Sequence, residues 1–390
     1  MCYMQDIKLD NYVSGGKEIP YLDDLSTLSP EDKARMLEVG VVLDKEHQES
    51  GTFIQMDNTP VHACTAQKGV EVMTIRQGLE KYAWLSDYLW KAVGKDSDKY
   101  TAHVEAKQGN GYFIRVLPGV KTEYPVQSCL YMTKGESVQD VHNIIVAEEG
   151  AELHIITGCT SSVGKEGGVH LGVSEFYIKK GARVTFTMIH RWDPEVMVRP
   201  RTGVIVEEDG LFLSNYVLLK PVRSLQMYPA AWCVGKNATA RFNSILIATP
   251  GSEMDVGSKV FLNAEGARTE IISRAITTGG NITARGYIEG NAPEVKGHLE
   301  CRGLILDGGG IIYAVPELKG AVPGIDLSHE AAVGKIAEEE VEYLMARGLN
   351  RAEATAIIVR GFLRVDIEGL PPVLSAEIER AVKASEQDVM

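Results

Sequence analysis

The 390-residue sequence has no run of 18 apolar residues, so no helical membrane span is expected. Positive charge is outnumbered by negative. Lys and Arg number 40 against 53 Asp and Glu, a formal net charge of −13. Phosphates would be repelled, and no basic stripe interleaved with aromatics is present, so nucleic acid is not an expected partner. The opening Met1-Cys2-Tyr3-Met4-Gln5-Asp6 has neither the basic segment nor the apolar run of a secretory signal. The expected location is therefore cytoplasmic, and the six cysteines are expected as thiols, ligands or redox groups rather than disulfides. None of them form a C-x-x-C pair, so no zinc or ferredoxin cage is written in one stretch. The phosphate-loop pattern G-x-x-x-x-G-K-[ST] is missing too. The Gly-Lys pairs at Gly164, Gly235 and Gly334 do not fit it.

What is present begins with turns: glycine is high at 39 residues. Near the start, Ser29-Pro30-Glu31-Asp32 reads as a helix start, with serine as cap, proline at the first helical position and acids in the first turn. Met36 and Leu37 follow on an apolar face and Gly40 is placed to stop the helix. A second helix is expected from about 72 to 92, carrying Leu79, Tyr82, Leu85, Leu89 and Trp90.

From about 100 to 313 helical spacing gives way to short alternating runs such as Tyr112-Phe113-Ile114-Arg115-Val116. One phrase recurs here: two polar residues, a turn residue, a small residue, then a strand. Glu148-Glu149-Gly150-Ala151 and Lys179-Lys180-Gly181-Ala182 are its clearest copies. Weaker ones carry the turn at Gly210, Asn237 and Gly266. Positions 150, 181, 210, 237 and 266 are 31, 29, 27 and 29 residues apart. So even a spacing of strand-only units predicts a stacked solenoid, each coil burying its inner face against the next. A β-sandwich is the competing architecture and would show more two-residue hairpins.

The last 65 residues are expected to be helical again. Ile336 to Arg347 carries Val341, Leu344 and Met345 at helical spacing, with Gly348 as the stop. Asn350-Arg351-Ala352-Glu353 reads as a capping box, and the following helix would present Ala354, Ile357, Ile358 and Gly361 on one face. Pro371-Pro372 should break it before a short acidic helix.

Three segments resemble the SufB/SufD family. They are Gly109-Asn110-Gly111-Tyr112-Phe113-Ile114-Arg115-Val116-Leu117-Pro118-Gly119-Val120, the run from Ile145 to Ala151 continuing to Gly158-Cys159-Thr160, and Leu327-Ser328-His329-Glu330-Ala331-Ala332-Val333-Gly334-Lys335-Ile336. The last extends through Tyr343-Leu344-Met345-Ala346-Arg347-Gly348 to Ile357-Ile358-Val359-Arg360-Gly361-Phe362. The resemblance implies a mainly β fold: a right-handed parallel β-helix over 99–324, between an N-terminal helical region at 1–98 and a C-terminal helical region at 325–390 that binds a SufC-type ABC ATPase. It implies a scaffold in SUF-type iron–sulfur cluster assembly rather than an enzyme, with ATP held only by the partner. The chain resembles a minimal, archaeal-type member, shorter at the N-terminus than bacterial SufB and without the N-terminal cysteine motif of larger relatives.

The family also implies roles for particular residues. Cys301, in His298-Leu299-Glu300-Cys301, stands where SufB carries its cluster-bearing cysteine, and Cys159 matches the cysteine that accepts incoming sulfur and passes it along the solenoid interior. A glutamate at Glu330 marks the SufB partner, and a histidine at His329 corresponds to the SufD partner's contribution. Each cysteine alone is as well explained as a small buried hydrophobe. Likewise, Ser328 to Glu330 alone would pass for a helix cap. Together, Cys301, His329 and Glu330 are expected to hold a transient [4Fe-4S] cluster. One chain offers a single thiolate among them, so a homodimer presenting each residue twice would complete the set. Mixed ligation with carboxylate oxygen should hold iron more loosely than four thiolates, which suits a site that releases its product. Lys335, Tyr343, Arg347, Ile357, Ile358 and Phe362 would contact the ATPase. A sulfur donor and apo-protein acceptors are further expected partners, with reduced flavin a candidate electron source. Two other readings stand beside this one: a SufD-like binding subunit without its own cluster, and a β-helix carbohydrate-active enzyme using paired carboxylates.

Overall fold

The computed structural model describes residues 6–363 apart from 15–18, 44–47, 108, 219, 221 and 307–308. The Pro371-Pro372 break and the final acidic helix lie outside the described residues. The chain forms a parallel β-solenoid of about eight turns with helices at both ends. Each coil contributes one strand to each of two facing sheets, of 12 and 10 strands. The second sheet carries the site. Its main strands are β1 (Val126–Met132), β2 (Glu152–Ser161), β3 (Arg183–Arg191), β4 (Leu211–Leu218), β5 (Thr239–Ala248), β6 (Arg268–Thr277), β7 (Lys296–Ile305) and β8 (Asp326–Gly334). They pair in parallel, each with the next.

The turn ladder sets this register. Left-handed residues stand at Gly119, Gly150, Gly181, Asp209, Asn237, Gly266, Glu294 and Gly324, one per coil. From Gly119 to Asn237, each turn's N–H donates to the carbonyl of the residue just before the next turn, as from Gly150 to Lys180 O and from Gly181 to Glu208 O. The expected turn at Gly210 falls one residue early: Asp209 takes the left-handed conformation, and its side chain accepts from Asn237 Nδ2 at 3.0 Å. An Asp or Asn can replace glycine there because a short polar side chain bonds locally. Lys179–Glu207, Lys180–Glu208 and Lys236–Glu265 ion pairs run down the outside of the ladder. These are the charged pairs of the repeating phrase, and their exposure makes each worth little.

Alternation places one set of side chains inside. The core runs the length of the solenoid, from Val126 and Leu153 through Phe186, Phe212 and Phe242 to Ile271, Leu299 and Cys301. The first coils are buried on both faces, because α1 (Pro30–Leu37) covers one sheet and α2 (Ile75–Lys81) with α3 (Lys99–Lys107) covers the other.

Three expected helical stretches differ. Residues 51–74 are strands: Gly51–Met56 joins the second sheet beside β1, hairpins with Thr59–Thr65, and is followed by Val70–Thr74 paired antiparallel to Tyr112–Val116. The expected helix at 72–92 therefore begins as a strand, and helix starts only at the Thr74–Gln77 capping box. Conversely, Lys99–Lys107 is helical inside the expected strand region. Asp326–Gly334 is strand rather than the start of the C-terminal helical region.

The helices after it are α4 (Glu338–Met345) and α5 (Arg351–Leu363). The capping box forms: Glu353 N donates to Asn350 Oδ1 at 2.9 Å and Asn350 N to Glu353 Oε2 at 2.8 Å. The face α5 turns to the sheet is Ala356, Val359 and Leu363, against Ile245, Ile247, Ile276 and Leu304. Of the expected face, Ala354 is buried, but Ile357 and Gly361 point to solvent.

Candidate functional site

Because the register is unbroken from β1 to β8, residues at equal distance from each turn stack in columns. Seven residues after the turn, one inner column reads Thr157, Met188, Tyr216, Ser244, Ser273, Cys301 and Ala331, and Ser128, nine residues after Gly119, stacks at its head. Two residues further along, the neighbouring inner column carries Leu130, Cys159, His190 and Leu218. Cys159 therefore lies near one end of a hydroxyl-rich interior track, and Cys301 at the other. Ser128 Oγ and Thr157 Oγ1 are 2.7 Å apart, and Ser244 Oγ donates to Ser273 Oγ at 3.1 Å. Between them lies an interior cavity of about 20 Å³, lined in part by Tyr216, Ser244, Ser258 and Ser273.

Cys159 is fully buried, and burial pushes its thiol well above the ordinary range, with Cys129 adding to the rise. His190 stands directly opposite it in the ladder; the rings of Tyr216 and Trp192 pack on His190, and that of His170 on Trp192. Burial holds the His170 imidazole down to about 3 and that of His190 well below its usual value, so both are neutral. These four residues did not figure among the expected site residues. The repeat did contain a signal for His190: it stands nine residues after Gly181, as Cys159 does after Gly150.

Cys301 faces inward on β7 at 1% exposure, its thiol pushed up to about 11 by burial first and by Glu300 second, with Arg274 opposing. The pairing of β7 with β8 sets Leu299 opposite His329, Glu300 opposite Glu330 and Cys301 opposite Ala331. His329 thus shares the inner face with Cys301, one strand away and one step along. Glu330 lies on the outer face, in a chain of ion pairs: Arg274–Glu300 at 2.8 Å, Glu300–Arg302 at 2.6 Å and Arg302–Glu330 at 3.1 Å. One chain brings Cys301 and His329 to the same mouth and turns Glu330 away. Among the described residues no group of three or more His, Cys, Asp or Glu is placed to hold a metal ion. A single copy therefore does not assemble the expected ligand set.

The mouth is open. Strands Ile311–Gly320 and β8 end their two sheets with no further described strand beyond them, and their side chains are mostly exposed, including Ile311, Tyr313 and Val333. Beside them, α4 and α5 present Tyr343, Met345 and Ile357 to solvent. Of the expected ATPase-contacting residues, Lys335 is exposed, Arg347 donates to Tyr343 Oη at 2.6 Å, Ile358 is half-buried, and Phe362 packs partly against the sheet.

Fold and site together define a class: a parallel β-solenoid with thiols in its interior and, among the described residues, no strand beyond its last coil. The profile described as SUF system FeS cluster assembly, SufBD core domain, matches residues 130–362. The chain is 53% identical over 359 residues to an iron–sulfur cluster assembly SufBD family protein of Archaeoglobus fulgidus, covering 92% of this chain and 96% of that one. It is 46% identical over 398 residues to a SufBD family protein of Methanothermobacter thermautotrophicus, covering 98% and 95%. It is 31% identical over 302 residues to the iron–sulfur cluster assembly protein SufB of Bacillus subtilis, covering 75% and 63%. The chain belongs to the SufBD family of iron–sulfur cluster assembly proteins. No described helix is long and apolar enough to cross a membrane.

Proposed function

We propose that this chain is the scaffold subunit of a cytoplasmic SUF-type complex and builds an iron–sulfur cluster, as cargo, where two copies meet. The observation that carries the reading is the open last coil. Two sheet edges end there, and Cys301 and His329 face its mouth. Unpaired edges favour another chain unless blocked, and a two-fold contact would double each ligand and let Glu330 of each copy swing from Arg302 toward the seam. Cys159 takes sulfur from a donor protein and the hydroxyl track leads it toward Cys301. A SufC-type ATPase docks on α4 and α5, through Tyr343, Arg347, Ile357, Ile358 and Phe362 with Lys335 at their base. Its closure on ATP twists the two solenoids and opens the seam to apo-protein acceptors.

Anaerobic reconstitution with ferrous iron, sulfide and reductant tests the site. The wild-type chain should turn brown with charge-transfer absorption, and Cys301→Ser should lose it. His329→Ala and Glu330→Ala should each lower the yield. A Cys301→Ser chain that still assembles the cluster sinks the assignment, and a wild type that stays colourless favours the SufD-like reading. Ile357→Asp should abolish co-purification with the ATPase while the chain keeps its unfolding midpoint. Unchanged co-purification would move the docking surface elsewhere.

A further inference from the structure

Inside the solenoid two nitrogens have no partner, one on His190, opposite Cys159 in the ladder, and one on Trp192, two residues further along. His190 Nε2 and Trp192 Nε1 are both buried, in residues only 1% and 3% exposed, and neither meets a hydrogen-bond partner. Leaving a buried polar group unsatisfied costs about 1–3 kcal/mol, so such groups are seldom kept without a use. Both are donors. The indole N–H can only donate. Tyr216 Oη lies 2.9 Å from His190 Nδ1 and has no other hydrogen-bond partner among the described residues, so of the two neutral tautomers the one that gives the buried phenol proton an acceptor has Tyr216 donating to Nδ1 and the ring proton on Nε2. The rings are 5.5 Å apart, and His190 stands opposite Cys159 in the ladder. Two unmet N–H groups beside a buried thiol form a place for a small anion attached to that thiol, with the donors set before it arrives.

We infer that His190 and Trp192 are positioning residues that hold the outer sulfur of a persulfide on Cys159. The proposal rests on Cys159 as the sulfur entry point and adds the groups that retain the sulfur. The step moves one sulfur atom with no net oxidation. A donor persulfide anion R–S–S⁻ is attacked at its outer sulfur by Cys159 Sγ, whose bond to that sulfur forms as the donor's S–S bond breaks. The thiol proton of Cys159 leaves on the donor as R–SH, and the negative charge stays on Cys159–S–S⁻, facing the two N–H groups. Burial that keeps the empty thiol protonated makes an unsupported anion costly, so these donors decide whether the sulfur is kept.

The full-length chain, incubated anaerobically with inorganic polysulfide as the probe and then desalted, tests this. Intact-mass and peptide analysis should find one added sulfur on Cys159 in the wild type and in Cys301→Ser, and none there in Cys159→Ser. Trp192→Phe and His190→Leu should each shorten the lifetime of the added sulfur about tenfold, one lost hydrogen bond to a charged group being worth on the order of 1.5 kcal/mol. His190→Gln, which keeps a donor at similar reach, should restore most of it. A second reading separates this from a structural role. Trp192→Phe removes an unmet N–H without breaking a bond, so it should leave the empty chain about as stable while shortening the sulfur's lifetime, whereas a packing residue would lose stability together with sulfur; His190→Leu also strips the Tyr216 hydroxyl of its acceptor and is read on sulfur lifetime against His190→Gln. Variants that hold the sulfur as long as wild type overturn the assignment and leave Cys159 as the entry point. A wild type without sulfur on Cys159 overturns both.

Discussion

His170 and His190 stand neutral inside the solenoid, and this makes stability depend on acid. In the unfolded chain each takes up a proton below its ordinary value of 6.5, whereas folded His170 resists protonation until about 3. Protonation therefore favours the unfolded state. The contribution is complete above pH 6.5 and is lost as pH falls, at about 1.4 kcal/mol per pH unit for each group. Urea midpoints should drop between pH 6.5 and 4.5, and His170→Gln should flatten the slope; an equal slope in the variant would place the acid sensitivity elsewhere. The thiols act at the other end of the scale. Cys301, held at about 11, keeps its proton in the fold after an unfolded thiol has lost it near 9, so stability should also fall as pH rises past 9. At this scale much of the site was legible. Cys159 and Cys301 were singled out by resemblance and both face the interior. Tyr216 and Trp192 were not, because an aromatic in a strand is ordinarily core, and only the partner-free Nε1 and the bond from Tyr216 to His190 mark them as more.

Among the elements, the segment after α2 shows how one buried charge can hold a loop. Glu175 is fully buried on the outer face of the first sheet. Its carboxylate accepts from the backbone N–H groups of Trp90 at 2.7 Å, Ala92 at 2.7 Å and Val93 at 3.0 Å, and from His142 Nε2 at 2.8 Å. Converging three N–H groups on one carboxylate requires a bent backbone, and Trp90 takes a positive φ of 59°, rare for an aromatic residue. Glu175→Gln removes the charge that offsets this strain and should destabilise the chain by about 3 kcal/mol, read from urea unfolding. An unchanged midpoint would mean the clamp is dispensable. The expected helix over 72–92 failed in the same region. Its apolar spacing is helical from Leu79 onward, but Val70 to Thr74 alternates, and pairing with Tyr112–Val116 wins over local periodicity. The expected face of α5 failed for a related reason. Several apolar stripes fit one helix, and the groove between β5, β6 and β7 selected Ala356, Val359 and Leu363.

Across the whole molecule the two ends are treated differently. At the start, the hairpin Gly51–Thr65 and the antiparallel strand Val70–Thr74 finish the sheets, and Tyr21 Oη donates to Ala63 O over the hairpin. At the far end, β8 and Ile311–Gly320 have no such cover among the described residues. A rod with one blunt and one open end should pair through the open one. Val333→Lys with Tyr313→Lys, which sets like charges across such a seam, should convert a dimer to a monomer in light scattering, with little change in unfolding midpoint because neither residue is core. A dimer that survives both changes would place the contact elsewhere.

By itself the sequence determined the period of about 29 residues and the stacking of coils that it implies; the exact register, which sets Cys159 opposite His190 and Ser273 opposite Cys301, came with the structure, where the turns fall at Asp209 and Glu294 as well. A steady repeat does this because each coil can bury its inner face only in register with its neighbour. Only the tertiary structure decided which way each side chain faces. In a strand one residue is half a turn, so His329 and its neighbour Glu330, inseparable as letters, end on opposite sides of a sheet.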